Sequence, residues 1–270
     1  MARKKTVLVV VAHADDMEFL AGGTVARFVD ERGYALYEYI LTDNAKGSHR
    51  LTADEVKALS AREAVEAGQY LGLKSVRFGE YEDGELNQEN PNVLRGKVMD
   101  YIREIRADIV MSWDPFAPFE EHPDHRVTGM AALEAASFSG NPKFHPESNY
   151  DPYPVTEAYW FAKHPRDASL FVEITRTFEK KVAALLMHRC QMDLMIDHLI
   201  QEASILGIDV PVLQKDSWEE HQRIIRSNLH SYFAAVGQRA GYPLAEQFRY
   251  QKLGHLDAVV SGRYLEPDFQ

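Results

Sequence analysis

The chain has 270 residues, of which 45% are hydrophobic, so it is long enough to bury a large core. Its 41 acidic and 30 basic side chains give a net charge of -11, which excludes general binding to nucleic-acid phosphates and to anionic membranes. The single cysteine excludes an intrachain disulfide and no apolar run is long enough to span a bilayer, so we expect a cytoplasmic protein.

Strands and helices alternate in the first half of the sequence. Residues 6–12 are an unbroken, mostly β-branched run, typical of a central strand that is buried on both faces. The segments that follow are a helix at about 20–32 ended by Gly33, a strand at 35–42, a helix at 54–71, a strand near 75–79, a helix at 93–106, a strand at 108–113 and a helix at 122–139. This alternation predicts an α/β fold with an open, mostly parallel sheet and helices on both faces, as in Rossmann-like proteins.

The alternation ends near residue 140. The later segments are a loop at 140–154, strands near 156–162 and 170–175, and helices over roughly 176–205 and 217–240. The sequence contains no linker that would separate a second folded unit. We therefore expect one domain over residues 1–270, with its core at about 6–175 and a helical C-terminal part at about 176–270.

Two groups of histidine and aspartate residues follow predicted strands. His13, Asp15 and Asp16 come directly after the first strand, and His122 and His125 come after the fourth. Ligands of open α/β sheets bind at the carboxyl ends of the strands, so we expect the two groups to meet there. The two later histidines are three residues apart and share one face of a helix.

Two histidines and two adjacent carboxylates provide the kinds of side chain that a catalytic zinc site uses. Such a site uses three protein ligands and keeps a position for water, whose pKa the ion lowers to about 7. A neighbouring carboxylate then takes the proton during attack, and a protonated histidine can donate a hydrogen bond to the oxyanion. The spacing leaves open whether Asp15 or Asp16 binds the ion.

These residues resemble the motifs of the LmbE/PIG-L-type zinc-dependent N-deacetylase family. Residues 12–16 (AHADD) match its A-H-P-D-D motif, and a G-G-T follows at 22–24. Residues 122–125 match its H-P-D-H motif, with a glycine at Gly129. Residues 113–121 are most similar to the diacetylchitobiose deacetylase-like members of the family.

The resemblance implies a hydrolase that removes the N-acetyl (or another N-acyl) group of an amino-sugar compound, such as N-acetylglucosamine or diacetylchitobiose. It implies that His13, Asp16 and His125 bind one Zn²⁺ per subunit, a site that other divalent metals also fit. It assigns the general base to Asp15 and the stabilisation of the oxyanion to His122. It further implies a homo-oligomer, either a trimer or a hexamer.

Five further residues are candidates for substrate contacts, and each has a structural alternative. Asp43 supports the site from behind or caps a turn, and Asp83 contacts a sugar hydroxyl or belongs to a turn. Trp113 offers an apolar face to a sugar ring or belongs to the core. His188 lines the mouth of the pocket or packs between helices, and His255 reaches a neighbouring subunit's site or is solvated.

Three positions depart from the family pattern. Ala14 stands where the first motif has proline, so we expect a softer loop there. Ser60 stands where the family often has arginine, which puts one substrate or structural contact in doubt. Cys190 replaces the serine of an H-x-S-Q motif, and we interpret it as a small buried residue.

Two other functions use the same residues. A non-haem iron oxygenase also binds its metal through two histidines and one carboxylate, although such sites usually lie on β-barrels. A non-catalytic metal-dependent sugar-binding protein would need the ligands alone, and the presence of Asp15 and His122 argues against it. The sequence does not identify which N-acylated sugar is the substrate.

Overall fold

The computed structural model describes residues 4–213, 217–254, 256 and 267–269. Within these residues the chain forms one sheet with helices around it. The strands are β1 (Thr6–Val11), β2 (Ala35–Thr42), β3 (Ser75–Tyr81), β4 (Ile109–Trp113), β5 (Glu157–Phe161), β6 (Leu170–Glu173) and β7 (Ala245–Lys252). The helices are α1 (Asp16–Arg32), α2 (Ala53–Leu71), α3 (Pro91–Ile105), α4 (Pro123–Phe138), α5 (Phe178–Leu185), α6 (Arg189–Leu206) and α7 (Trp218–Gln238), with a 3₁₀ turn at Leu86–Gln88.

The strand order is β3-β2-β1-β4-β5-β7-β6. The first five of these strands run parallel, and β7 is antiparallel to both of its neighbours. β1 lies at the centre, where Val7 pairs with Leu36 of β2 on one side and with Ile109 of β4 on the other. The chain order changes direction between β1 and β4, which is the place where open α/β sheets bind ligands. The predicted fold class is confirmed.

The central strand is buried on both faces, as its sequence predicts. Val7, Val9 and Val11 belong to an apolar cluster that includes residues of α1, α5 and α7. Leu8 and Val10 belong to a second cluster with residues of α3 and α4. Because helices cover both faces, a ligand reaches β1 at the end of the strand rather than across the sheet.

The C-terminal part is not helical throughout, which corrects the sequence-based expectation. Residues 245–252 form β7, which lies between β5 and β6 and so completes the sheet. The helix expected over 176–205 is two helices, which are separated at residues 186–188. Among the described residues, no helix combines the length and the apolar character that crossing a membrane requires.

Candidate functional site

Asp16 is fixed by three hydrogen bonds to one oxygen of its carboxylate. It is the first residue of α1, where unpaired backbone N–H groups favour a negative charge. Its Oδ2 accepts from the backbone N–H groups of Ala12 at 3.0 Å and His13 at 2.9 Å, and from the indole N–H of Trp113 at 2.8 Å. The other oxygen, Oδ1, faces two histidine rings.

Both histidines of the second group lie at the start of α4. His122 is the N-cap, and its Nδ1 accepts a hydrogen bond from the backbone N–H of Asp124 at 3.2 Å. A neutral ring that accepts at Nδ1 carries its proton on Nε2, which is then a donor. Burial and the charges of His13 and His125 lower the pKa of His122, which favours this neutral form.

The two groups meet at one point of the sheet edge. The Nδ1 of His13 lies 3.1 Å from the Nε2 of His125, and the Oδ1 of Asp16 lies 3.8 Å and 3.4 Å from these two nitrogens. A tetrahedral ion with bonds of about 2.0–2.1 Å holds its ligand atoms about 3.3–3.4 Å apart. The spacing of the three atoms therefore fits a single zinc-sized ion.

Carboxylates behind the two rings orient them towards this point. The Nε2 of His13 lies 3.2 Å from the Oδ1 of Asp83 and 3.4 Å from the Oδ2 of Asp124. The Nδ1 of His125 lies 2.8 Å from the Oε1 of Glu120. The contact of His125 is a hydrogen bond, and a histidine whose outer N–H donates to a carboxylate presents its other nitrogen as a ligand, the usual arrangement around bound metals. The contacts of His13 are close pairings with two carboxylates.

Two other groupings of possible ligands overlap this one. One consists of His13, His122 and His125 and the other of His13, Asp83 and Asp124, with one atom of each residue within 4.8 Å of the others. In the first, the Nδ1 of His122 already accepts a backbone N–H. In the second, both oxygens of Asp124 accept backbone N–H groups, whereas Asp16 accepts them at Oδ2 alone and keeps Oδ1 towards the two rings. Asp16 therefore offers a carboxylate oxygen to an ion, whereas Asp124 has both of its oxygens engaged.

The charges at the site are strongly coupled. Burial by itself lowers the pKa of His13, but the carboxylates of Asp124 and Asp16 raise it well above its usual value. Asp15 lines the same pocket, and burial together with the charge of Asp16 raises its pKa to about 6. A carboxyl group with this pKa exchanges its proton near neutral pH, as a general base must.

A pocket of about 450 Å³ opens over these residues. Its polar lining from the two motif groups is His13, Asp15, Asp16, His122 and His125. The further lining residues are Phe19, Leu20, Lys46, Gly47, Asp83, Trp113, Lys163, Gln191, Leu194, Met195 and His198. The pocket therefore joins the end of the sheet to the side of α6.

Two of the candidate substrate residues line this pocket. Asp83 is 6% exposed, and its second oxygen accepts a hydrogen bond from the backbone N–H of Lys46 at 2.9 Å. Trp113 is only 2% exposed, and its ring stacks on that of His125 with centroids 3.7 Å apart. With its indole N–H bonded to Asp16, Trp113 supports Asp16 and His125 and offers little surface to a sugar.

The other three candidates lie elsewhere. Asp43 is outside the pocket, where it accepts hydrogen bonds from the backbone N–H groups of Ala45 and Asp83 and pairs with Lys57 at 2.7 Å. His188 is fully buried at the start of α6, and its Nε2 lies 3.5 Å from a carboxylate oxygen of Glu18. His255 lies outside the described residues.

The departures from the family pattern have structural consequences. The backbone N–H of Ala14, which a proline would lack, donates to the Oδ1 of Asn44 at 2.8 Å. This hydrogen bond holds the loop in place, which corrects the expectation of a softer loop. The Cys190 thiol donates to the carbonyl of Gly47 at 3.3 Å, and burial raises the pKa of this thiol to about 11. Ser60 is buried at 1% exposure, away from the pocket lining.

Sequence reasoning missed several contributions to the site, among them an acid behind His125 and the pocket wall on α6. Glu120 holds His125, but the loop before α4 has several acids and no spacing that distinguishes this one. The pocket wall on α6 is formed by Gln191, Leu194, Met195 and His198. Their separations of three, four and seven residues from the first of them mark one helix face, a signal that was available in the sequence.

Comparison with known proteins shows which family the chain resembles. The family profile described as GlcNAc-PI de-N-acetylase (PIG-L) matches residues 8–136, which include both histidine–aspartate groups. The diacetylchitobiose deacetylase of Thermococcus kodakarensis is 30% identical over 192 residues, which are 69% of this chain and 70% of that protein. The 4-oxalmesaconate hydratase of Pseudomonas putida is 27% identical over 194 residues, 67% of this chain and 72% of the hydratase.

The fold is shared with a solved deacetylase. The structure of N,N'-diacetylchitobiose deacetylase from Pyrococcus horikoshii matches with a TM-score of 0.74 and 26% identity, over 92% of this chain and 84% of that one. The similarity thus extends beyond the two motifs to the whole sheet and the helices around it. The chain belongs to the PIG-L/LmbE family.

Proposed function

We propose that this protein is a metal-dependent N-deacetylase that hydrolyses the N-acetyl amide of an amino-sugar compound, such as N-acetylglucosamine or diacetylchitobiose. The observation that carries the proposal is the convergence of His13, Asp16 and His125, whose facing atoms lie 3.1–3.8 Å apart, in the pocket that Asp15 also lines. The amino-sugar substrate is supported by the family description and by the deacetylases that the chain resembles.

Zinc is the metal that best suits two imidazoles and one carboxylate, with one ion per subunit. When bound, it supplies a Lewis acid that acidifies a water molecule and polarises the amide carbonyl. The ligands in this proposal are the Nδ1 of His13, the Oδ1 of Asp16 and the Nε2 of His125. Asp83, Asp124 and the glutamate behind His125 hold these ligands in place from outside.

Two residues of the chain then act on the reacting atoms. Asp15 accepts a proton from the attacking water and returns it to the amide nitrogen, so that the C–N bond breaks and acetate and a free amine leave. The Nε2–H of His122 donates a hydrogen bond to the carbonyl oxygen as negative charge develops there. Because the Nδ1 of His122 accepts a backbone N–H, the proton of the ring stays on Nε2, the nitrogen that donates to the substrate.

The test is release of acetate from N-acetylglucosamine and from diacetylchitobiose by zinc-loaded protein. We expect Asp15→Asn to keep its zinc and to lose activity by a factor of about 10²–10⁴, the usual contribution of a general base. Asp43→Asn, which changes a similar carboxylate outside the pocket, is the matched control and should keep its activity. Full activity of Asp15→Asn would refute the assignment of the base.

Hydration is the second candidate function, because one relative in the family is named as a hydratase. Addition of water to the C=C bond of an unsaturated carboxylic acid, with no release of acetate from acetylated sugars, would favour it. The oxygenase alternative has less support, since the relatives described above are named for hydrolysis or hydration. Sugar binding without turnover would leave Asp15 in the pocket without a role.

We also propose that the protein is a homo-oligomer, a trimer or a hexamer. The end of α6 supports the proposal, because Ile205 is 85% exposed, Leu206 61% and Ile208 56%. Apolar side chains that are exposed next to one another often mark contacts between proteins. Light scattering of the purified protein measures the oligomeric state directly.

A further inference from the structure

We propose that the pocket contains a subsite for an aliphatic acyl chain, so that the preferred substrate is an amino sugar whose N-acyl group is longer than acetyl. The inference rests on the N-deacylation proposed above and adds the chemical class of the acyl group. It comes from the apolar side chains of two helices, α1 and α6, that line the pocket together with its polar groups.

The first part of the apolar side comes from α6. Gln191, Leu194, Met195 and His198 occupy one face of this helix, and all four line the pocket. Polar side chains stand at the two ends of this face and apolar ones in the middle. Leu194 and Met195 are both partly exposed, so their apolar surface is available to a ligand.

The second part comes from α1, next to the catalytic carboxylates. Phe19 and Leu20 follow Asp15 and Asp16 by four residues each, which is one helical turn, and both line the pocket. Phe19, Leu20 and Met195 also pack against the main apolar cluster. This apolar side of the pocket is therefore supported from within.

The remaining part of the pocket is mostly polar. Lys46, Asp83, His122 and Lys163 line it with charged or hydrogen-bonding groups. Such groups pair with the hydroxyls of a sugar ring, whereas apolar side chains would leave those hydroxyls without partners. The sugar thus belongs among these polar groups, and the apolar residues of α1 and α6 are left for a hydrocarbon part of the substrate.

The acyl chain is the hydrocarbon part that reaches this surface. It is bonded directly to the carbonyl carbon, which must lie beside Asp15 and the metal ligands for hydrolysis to occur. Phe19 and Leu20 are one turn away from that point. An apolar group on C1 of the sugar would be separated from the carbonyl carbon by four intervening atoms, so it would extend away from these two side chains.

The experiment compares kcat/KM of the zinc-loaded protein for N-acetyl-, N-butyryl-, N-hexanoyl- and N-octanoylglucosamine. Burial of a methylene in an apolar site is worth about fourfold, and one-sided contact somewhat less. We therefore expect hexanoyl to exceed acetyl by about tenfold or more. Octyl N-acetylglucosaminide serves as the comparison with the hydrocarbon on C1, and we expect it to show a much smaller gain.

Substitutions on α6 test where the chain binds. Met195→Gln keeps the length of the side chain but replaces its thioether by an amide, and should move the hexanoyl-to-acetyl ratio towards one. Ile200→Gln is the matched control, because Ile200 is on the same helix, 37% exposed and outside the pocket lining. Its ratio should equal that of the unchanged protein. Circular dichroism checks that both variants are folded.

The possible results separate the two proposals. Hydrolysis of N-acetylglucosamine with no gain for longer chains would overturn the acyl subsite and leave N-deacetylation standing. A gain confined to the octyl glycoside, or one that Met195→Gln does not reduce, would also overturn it. If no N-acylated sugar of any chain length is hydrolysed, both proposals fail.

Discussion

At the scale of single residues, the site is defined by which nitrogen and oxygen atoms already take part in hydrogen bonds. His13, Asp15, Asp16, His122 and His125 are identifiable in the sequence because each motif keeps them within four consecutive residues. The groups behind them are not identifiable in this way. Their hydrogen bonds join parts of the chain that are far apart, and only the fold shows which acid faces which ring.

Glu120 is the clearest example, and it gives a prediction. Its carboxylate lies 2.8 Å from the Nδ1 of His125, so Glu120→Gln should weaken zinc binding by about 10–100-fold, as loss of such partners usually does. Competition with a chromogenic chelator measures this affinity. Glu121→Gln is the control, because the Glu121 side chain is 74% exposed and pairs with Lys163 at 3.0 Å. Equal zinc affinity of the two variants would contradict the role of Glu120.

Ala14 and Asn44 give a second prediction at this scale. Asn44 is 2% exposed and its Oδ1 accepts the N–H of Ala14, so Asn44→Ala leaves a buried donor without a partner and should destabilise the fold by about 1–3 kcal/mol. Urea denaturation measures the change in the free energy of unfolding.

A double-mutant cycle isolates this hydrogen bond from other effects of the substitution. Asn44 has a φ of 57°, which alanine adopts less readily, so part of the loss is independent of Ala14. In an Ala14→Pro background the N–H is absent, and Asn44→Ala should then cost about 1 kcal/mol less. An equal cost in both backgrounds would show that the two residues are not coupled.

At the scale of helices and strands, periodicity predicted the first half of the chain well and the C-terminal part less well. β7 was missed because its sequence, AEQFRYQK, is mostly polar. Its acid Glu246 is buried because Lys181 of α5 and backbone N–H groups of α1 reach it. The break at residues 186–188 was missed because no glycine or proline marks it. In both places a contact between distant segments decides the structure, and the local order of polar and apolar residues does not reveal that contact.

The packing of α4 on β4 gives a prediction at this scale. A Cβ atom on Gly129 would lie 2.5 Å from the carbonyl oxygen of Trp113 and 3.1 Å from the backbone nitrogen of Pro115. Gly129→Ala should therefore push the helix away, lower the free energy of unfolding by about 1–3 kcal/mol and weaken zinc binding through displacement of His125. Thermal denaturation and chelator competition measure the two effects.

A helical glycine elsewhere provides the control. A Cβ on Gly96 of α3 would meet only the ring of His145, at 3.0 Å, which is a side chain that can move. Gly96→Ala should keep normal zinc affinity. If Gly129→Ala also binds zinc normally, the close approach of α4 to β4 does not position the ligand.

At the scale of the whole molecule, one buried ion pair joins three separate parts of the chain. Glu246 of β7 lies 2.5 Å from the Nζ of Lys181 in α5, and both side chains are fully buried. The same carboxylate accepts hydrogen bonds from the backbone N–H groups of Gly23 and Thr24 in α1 at 2.9 Å and 2.7 Å. The last strand therefore holds the helix that carries the first motif.

Removal of one partner of this pair should be costly. Lys181→Met leaves the buried charge of Glu246 without its cation and should reduce the free energy of unfolding by about 3–5 kcal/mol. In the double variant Lys181→Met, Glu246→Gln no charge remains, and stability should partly recover. Urea denaturation of the two variants measures the difference, and a double variant less stable than Lys181→Met would argue against this account.

The link between β7 and α1 has a consequence for how the protein is made. Residues 13–16 are synthesised before the strand that holds their helix, which lies more than 220 residues further along the chain. We expect a nascent polypeptide that stops before residue 245 to capture no zinc, although every ligand has already been synthesised. Metal binding by the first motif would then depend on a strand that is synthesised long after that motif.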